Sequence, residues 1–235
     1  MNQNVPPTAQ TIQASLFLGL GTANQRNGDT QMKKVTIMLS LLCVAALAQE
    51  KGTFTDTRDG KNYNTVKIGE QTWMAQNLNY KLEKVGARCY NDNEARCDKY
   101  GRLYDWATAI ALPSNCNSSS CASRVGAKHQ GICPNGWHLP NNEELNKYAL
   151  YVDSYHSNYI DINKKFNFSI ILGGSGYFRG YSDSSIVASF GGVGESTGWW
   201  NATELSADKA KCQDTNTYEN NCEKFRLLSV RCLQD

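Results

Sequence analysis

Three hydrophobic patterns follow one another along the chain: a continuous run, then strict alternation, then stripes at helical spacing. The run is Val35-Thr36-Ile37-Met38-Leu39-Ser40-Leu41-Leu42-Cys43-Val44-Ala45. Met32-Lys33-Lys34 precedes it and Ala46-Leu47-Ala48 follows. A basic start, a short apolar stretch and an A-x-A site make a secretory signal peptide over 32–48. The run is too short for a membrane span. Met32 is then the expected start, with 1–31 a disordered, mis-called upstream extension. Cleavage after Ala48 removes Cys43. Lipid anchoring at Cys43 is the rival reading, and Leu42 is too large for the position before a lipidated cysteine. A short lead-in covers 49–53, and one domain is expected over 54–235.

Alternation dominates from residue 54. Asp59-Gly60 is a hairpin turn signal, and Val66 and Ile68 then flank Lys67 as in a half-buried strand. Gly69-Glu70 makes a second turn, and 72–78 returns as a third strand, so a β-meander is expected across 54–80. Residues 81–100 read as a polar loop. Leu103, Trp106, Ala107 and Ile110 fall on one helical face, predicting a helix over about 102–111 that Pro113 ends. Cys133-Pro134-Asn135-Gly136-Trp137-His138-Leu139-Pro140 combines restricted backbone with a large apolar ring. It predicts a rigid corner inside the core. Asn141 with Glu144 three residues on is a capping-box pattern for a helix over 141–153, with Leu145, Tyr148, Ala149 and Val152 on its apolar face. Beyond 154, Phe166, Phe168 and Ile170 alternate as a strand. Residues 171–174 and 191–194 read as glycine-rich loops around a short strand near 186–190. Residues 198–204 form an aromatic knot, and 225–232 the final strand. The expected class is α+β, with two helices, short mixed antiparallel strands and long glycine-rich loops.

Charge changes the picture only by exclusion. With 24 basic and 22 acidic residues, the net charge of +2 gives no argument for nucleic acid or an anionic membrane surface. The cysteines change it more. Cleavage after Ala48 leaves eight of nine, an even number in an exported chain, which points to disulfides. Eight cysteines allow 105 pairings. Spacing favours Cys89–Cys97, Cys116–Cys121 and Cys212–Cys222 across short polar loops, leaving Cys133–Cys232 to join the corner to the final strand. Metal is the competing use of cysteine, but Cys116-x₄-Cys121 has no second pair at similar spacing, so no metal site is expected.

Several blocks together resemble one family. They are 59–69, then Gln71-Thr72-Trp73-Met74-Ala75-Gln76-Asn77-Leu78-Asn79-Tyr80, Gly101-Arg102-Leu103-Tyr104-Asp105-Trp106, the corner 133–140, Trp199-Trp200-Asn201-Ala202-Thr203-Glu204, and Ser229-Val230-Arg231-Cys232. In this order they resemble the Fibrobacter succinogenes major paralogous domain, over about 54–235. The resemblance implies exported, often surface-associated bacterial proteins. It also implies a C-type-lectin-like fold, shared in outline with the formylglycine-generating enzymes. The chain departs from the family's pattern in the glycine-rich middle, 173–194.

No G-x-S-x-G or H-E-x-x-H motif occurs, and no carboxylate pair stands out for glycoside hydrolysis. His138 beside Trp137 reads as a hydrogen-bonded structural histidine, and His129 and His156 as surface residues. Formylglycine chemistry needs two reactive cysteines, whereas every mature cysteine here has a plausible disulfide partner. The expectation is therefore a non-enzymatic, secreted or cell-surface binding domain without a cofactor. Its expected partner is a polysaccharide or another envelope protein. Trp199, Trp200, Asn201 and Glu204 are the expected ligand residues, an aromatic platform beside Asn and Glu donors. Asn141, Asn142 and Glu143 could add oxygens if calcium took part, although calcium needs six to eight.

Overall fold

The computed structural model describes residues 51–153, 168–179, 187–215 and 220–235. The expected signal peptide, Phe166 and His156 lie outside these residues. The domain is α+β, with few helices, many antiparallel strands and four disulfides.

The meander forms as β1 (Lys51–Thr55), β2 (Asn62–Ile68) and β3 (Gln71–Met74). Its first turn closes with the Gly60 N–H donating to Asp56 O at 2.7 Å, with Gly60 at φ 75°. Gly69, at φ 60°, takes the two-residue turn between Ile68 and its partner Gln71. The third strand is shorter than expected. After Ala75, whose N–H still donates to Asn64 O at 2.7 Å, the chain leaves β2 for the C-terminal segment, where Leu78 N–H donates to Val230 O at 2.8 Å. β6 (Trp137–His138) and β13 (Leu233–Gln234) complete a five-stranded sheet of order β1-β2-β3-β13-β6.

This sheet is covered on both faces. Val66, Ile68, Trp73 and Leu233 face Leu145 and Tyr148 of the helix α3 (Asn142–Asp153). Tyr63, Met74 and Trp137 face the larger core around Trp106, Trp200 and the Cys133–Cys232 disulfide. The corner 133–140 is the rigid turn expected. Trp137 N–H donates to Pro134 O at 3.0 Å, Gly136 has φ 80°, and the Trp137 ring sits 5.2 Å from Phe54. The capping box at α3 is also present: Asn141 Oδ1 accepts from the N–H groups of Glu143 and Glu144, and Glu144 Oε2 accepts from Asn141 N–H at 2.9 Å.

Elsewhere the elements differ from expectation. The predicted helix 102–111 is only α2 (Trp106–Ala109), capped by Asp105, whose Oδ1 accepts from Thr108 N–H. Leu103–Tyr104 is instead a strand, β5, paired with β4 (Ala87–Arg88) and bridged from Tyr104 to Leu228. The apparent helical stripe was split, because Leu103 packs with Tyr90 and Leu227 rather than with Trp106. In the supposed polar loop lies another helix, α1 (Glu94–Tyr100), capped by Asn93. It has no apolar stripe to betray it. Its single buried residue is Cys97, stapled to Cys89.

The glycine-rich middle is strand rather than loop. β7 (Gly173–Arg179) and β8 (Val187–Val193) pair antiparallel, with Gly176 opposite Phe190. Glycine is required there by packing. A Cβ on Gly174 would lie 2.5 Å from Gly191 O, and one on Gly176 would lie 2.9 Å from the Phe190 ring. Phe168 and Ile170 are buried but lie outside any strand. The final strand is broken into β12 (Arg226–Leu227), which joins β7, and β13. β9 (Gly198–Glu204), β10 (Lys209–Asp214) and β11 (Asn221–Glu223) make a separate sheet carrying the aromatic knot and the Cys212–Cys222 bridge.

Candidate functional site

All four disulfides pair as the spacing favoured: Cys89–Cys97, Cys116–Cys121, Cys133–Cys232 and Cys212–Cys222. Cys89 and Cys97 also lie near Glu94. Their sulfurs are joined to each other, so this cluster offers no thiolate to a metal.

The side chains expected to hold a ligand are taken up inside the fold. Trp200 is fully buried, and its Nε1–H donates to Tyr104 O at 2.7 Å. Trp199 is 5 % exposed and donates to Asn77 Oδ1 at 2.8 Å. Neither ring has a face free for stacking. Asn201 is buried, its Oδ1 accepting from Thr203 N–H. Glu204 forms a buried ion pair with Lys224 and accepts from Cys121 N–H at 3.0 Å. Of the possible calcium donors, Asn141 is used as the helix cap, and Asn142 N–H donates to Thr203 Oγ1. Burial on both faces explains this placement. Trp199 packs in the cluster with Trp73 and Phe168, Trp200 in the one around Trp106, and residues 198–202 are all buried, so alternation leaves none of them to solvent.

Asn77 is the hub beneath the surface. Its Oδ1 accepts from Trp199 Nε1 and from Arg231 Nε at 2.9 Å. Its Nδ2 donates to Tyr100 O at 2.8 Å and Ser229 Oγ at 3.2 Å. Arg231, also buried, reaches Phe168 O and Ser169 O and lies over the Phe168 ring at 4.2 Å. Burial lowers its pKa to about 9.

Above this hub opens a cleft of about 220 Å³. It lies between the start of β2, the segment after β3 and the end of α1. Lys61, Asn62, Gln76, Asn79, Lys99 and Tyr100 are among the side chains there with polar groups to offer, and Asp98 is the one lining carboxylate. Asn79 is the telling one. It is 8 % exposed, and its Oδ1 accepts no hydrogen bond among the described residues. Its backbone is fixed on both sides. Asn79 N–H donates to Tyr63 Oη at 3.0 Å, and Asn79 O accepts from Lys61 Nζ at 2.6 Å. Burial pushes the Tyr63 phenol up to about 12, so that group stays neutral. Gln76 is held by its Oε1, which accepts from Asn64 N–H at 2.7 Å. The backbone of Gly101, at φ 80°, passes so close that a Cβ would lie 2.5 Å from Asn77 Cβ, which fixes the end of α1 against this floor. The sequence signal for the cleft was the three amides in four residues, Gln76, Asn77 and Asn79. The expected third strand, 72–78, takes in Gln76 and Asn77 but not Asn79.

His138 has a structural role. The ring is buried, with Nδ1 2.7 Å from Asp235 Oδ1 and Nε2 3.1 Å from Glu144 Oε1. Burial works to lower its pKa, but the hydrogen bonds and charges of Glu144 and Asp235 outweigh it and leave it raised. Burial works to raise Glu144, and His138 with the Asn141 N–H holds it lowered. The raised histidine stabilises the fold below its ordinary value of 6.5, and that contribution is lost as pH rises through the folded value. The lowered Glu144 contributes above its ordinary 4.5, and its share is lost as pH falls. His138→Gln should therefore cost about 1–3 kcal/mol near pH 5.5, and the cost should shrink as pH rises above 6.5 through the raised value, by thermal melts across that range. A loss that stays constant with pH would mean that the ring does not change charge over that range. His129, the other described histidine, is half-buried, with Nε2 2.8 Å from Ile110 O.

These features define a class: an α+β domain stapled by four disulfides, with its five tryptophans turned inward and a polar cleft left open. The Fibrobacter succinogenes major domain model matches residues 66–234, and the chain belongs to that family. No curated protein and no solved structure matches the chain.

Proposed function

We propose that the protein is an exported, non-enzymatic binding domain acting outside the cell or at its surface, with a C-type-lectin-like core and a polysaccharide as its ligand. Four disulfides fit an extracellular role, and the pattern of Met32–Ala48 supports export. Among the described residues no helix is long and apolar enough to cross a membrane. The eight cysteines of the described residues are all in disulfides, which argues against thiol chemistry.

The observation that carries the binding reading is the polar cleft lined by Gln76, Asn77 and Asn79, with the Asn79 Oδ1 buried and unpartnered at its floor. A buried oxygen without a donor normally costs about 1–3 kcal/mol. It is tolerated where a ligand or water supplies the donor. Asn79 and Gln76 can answer hydroxyls with both donors and acceptors, and the half-exposed Tyr100 offers a ring face beside them. The volume is below the ~300–1,000 Å³ of drug-sized sites, so it suits one small ring of a longer chain.

The secreted, disulfide-bonded protein should be retained on insoluble polysaccharides and on glycan arrays. Asn79→Ala should weaken retention about tenfold, the value of one good hydrogen bond. Its melting temperature should be unchanged or slightly higher, because the removed oxygen had no partner. Retention on no glycan would overturn the reading, and so would full retention by Asn79→Ala.

A further inference from the structure

The cleft is unevenly charged. Lys61 and Lys99 line it on opposite walls, against a single lining carboxylate, Asp98. Lys61 is partly neutralised, with Nζ 3.2 Å from Asp59 Oδ2 and 2.6 Å from Asn79 O, so one of its three N–H groups remains to be given. Lys99 is different. It is exposed, and its Nζ lies 4.9 Å from the Tyr100 ring centre, with no carboxylate paired to it among the described residues. Arg96, one turn earlier on α1, places its guanidinium 6.0 Å from the same ring. The Tyr100 phenol is drawn below its ordinary value, first by hydrogen bonding to Lys99 and then by the charges of Lys99 and Arg96. A phenol in such surroundings is a better donor than an ordinary tyrosine. The lining therefore carries two cations, Lys61 on the β2 side and Lys99 on the α1 side, against the one carboxylate of Asp98, with the neutral amides of Gln76, Asn77 and Asn79 beside them.

Resting on the reading that the cleft binds saccharide, we propose that it selects an acidic one: a chain of sugar rings bearing carboxylates, with the carboxylate set against Lys99 and Tyr100 and the ring hydroxyls against Asn79 and Gln76. The division of labour is chemical. A uronate ring carries a carboxylate and several hydroxyls, and the cleft offers a lysine ammonium on either side and neutral amides to meet them. The charge term is that of exposed groups, so it is modest per ring and depends on salt. A polymer raises it by presenting many rings to one domain.

The test uses the secreted protein and two forms of one polymer: polygalacturonate as the free acid, and the same backbone fully methyl-esterified. The two differ in charge and hardly in shape. The free acid should bind about tenfold more tightly at about 0.01 M salt, where the Debye length is about 30 Å. The preference should shrink at about 0.1 M, where that length is about 10 Å. Lys99→Gln should remove most of the preference by lowering binding of the free acid far more than that of the ester, whereas Asn79→Ala should weaken both by a similar factor. Equal binding of acid and ester overturns the charge selection and leaves the saccharide reading standing. Binding of neither polymer, with no other glycan retained, removes both. Dextran sulfate, bound as tightly as polygalacturonate and indifferent to Asn79→Ala, would show mere polyanion attraction and would also overturn the proposal.

Discussion

With Cys133 and Cys232 both replaced by alanine, the domain should lose about 4–5 kcal/mol of stability, and its thermal midpoint should fall by roughly 10–20 °C. The bridge closes a loop with a sequence separation of 99, against 5 for Cys116–Cys121. In the chain-entropy description the longer loop contributes about 4.7 kcal/mol and the shorter about 2. Geometry adds to the difference. Cys133 and Cys232 are both fully buried, between the rigid corner and the last strand. Met74 N–H donates to Cys232 O at 3.0 Å, so the bridge also holds β3 against the C-terminus. Two alanines leave space in the middle of the larger core. Parallel urea or thermal melts of this variant and of Cys116→Ala/Cys121→Ala make the comparison. Equal losses in the two would show that the denatured chain keeps this loop closed without the bond, and the entropic argument would fail.

What could be read in advance depended on how local each signal is. The meander, its two turns and the capping box at α3 depend on residues within a few positions of each other, and they formed as expected. The disulfides followed because three bridges close short loops, and the fourth joins the two cysteines that remain. Tertiary pairing decided the rest. Leu103 fitted a helical stripe, but Tyr104 exchanges hydrogen bonds with Leu228, 124 positions later, at 2.8 and 2.9 Å, and that pairing extends the chain. The glycines of β7 and β8 looked like loop residues because sequence does not show that a second strand and the Phe190 ring press against them. The site followed the same division. Trp199 and Trp200 drew notice as a pair of large aromatics, and for that reason the core uses them. The cleft rests on amides such as Asn79, whose missing partner is visible only in three dimensions.

Glu204→Ala should be among the most damaging single substitutions, costing about 3–5 kcal/mol, and this cost concerns folding rather than ligand. Lys224 is fully buried, and the Glu204 side chain is 3 % exposed. Lys224 Nζ also donates to Cys116 O at 3.0 Å and Ala207 O at 2.9 Å, and lies 4.4 Å over the Trp106 ring. Burial works to raise the Glu204 carboxyl, but Lys224 and the Cys121 N–H hold it below its ordinary value. With the carboxylate removed, an ammonium stays in the core with carbonyls alone, and Cys121 N–H loses its acceptor. Glu204→Gln should cost less, since the amide oxygen keeps an acceptor in place. Glu204→Leu with Lys224→Met should recover most of the loss, because neither charge is then stranded. Urea melts of this double variant beside Glu204→Leu alone and Lys224→Met alone form a double-mutant cycle, and the coupling energy should exceed about 2 kcal/mol. Polysaccharide retention measured beside it separates the roles. Glu204→Gln should keep retention wherever it keeps the fold. If Glu204→Ala were as stable as the parent yet bound nothing, Glu204 would be a ligand residue after all, and the site would belong at the end of β9 rather than in the cleft around Asn79.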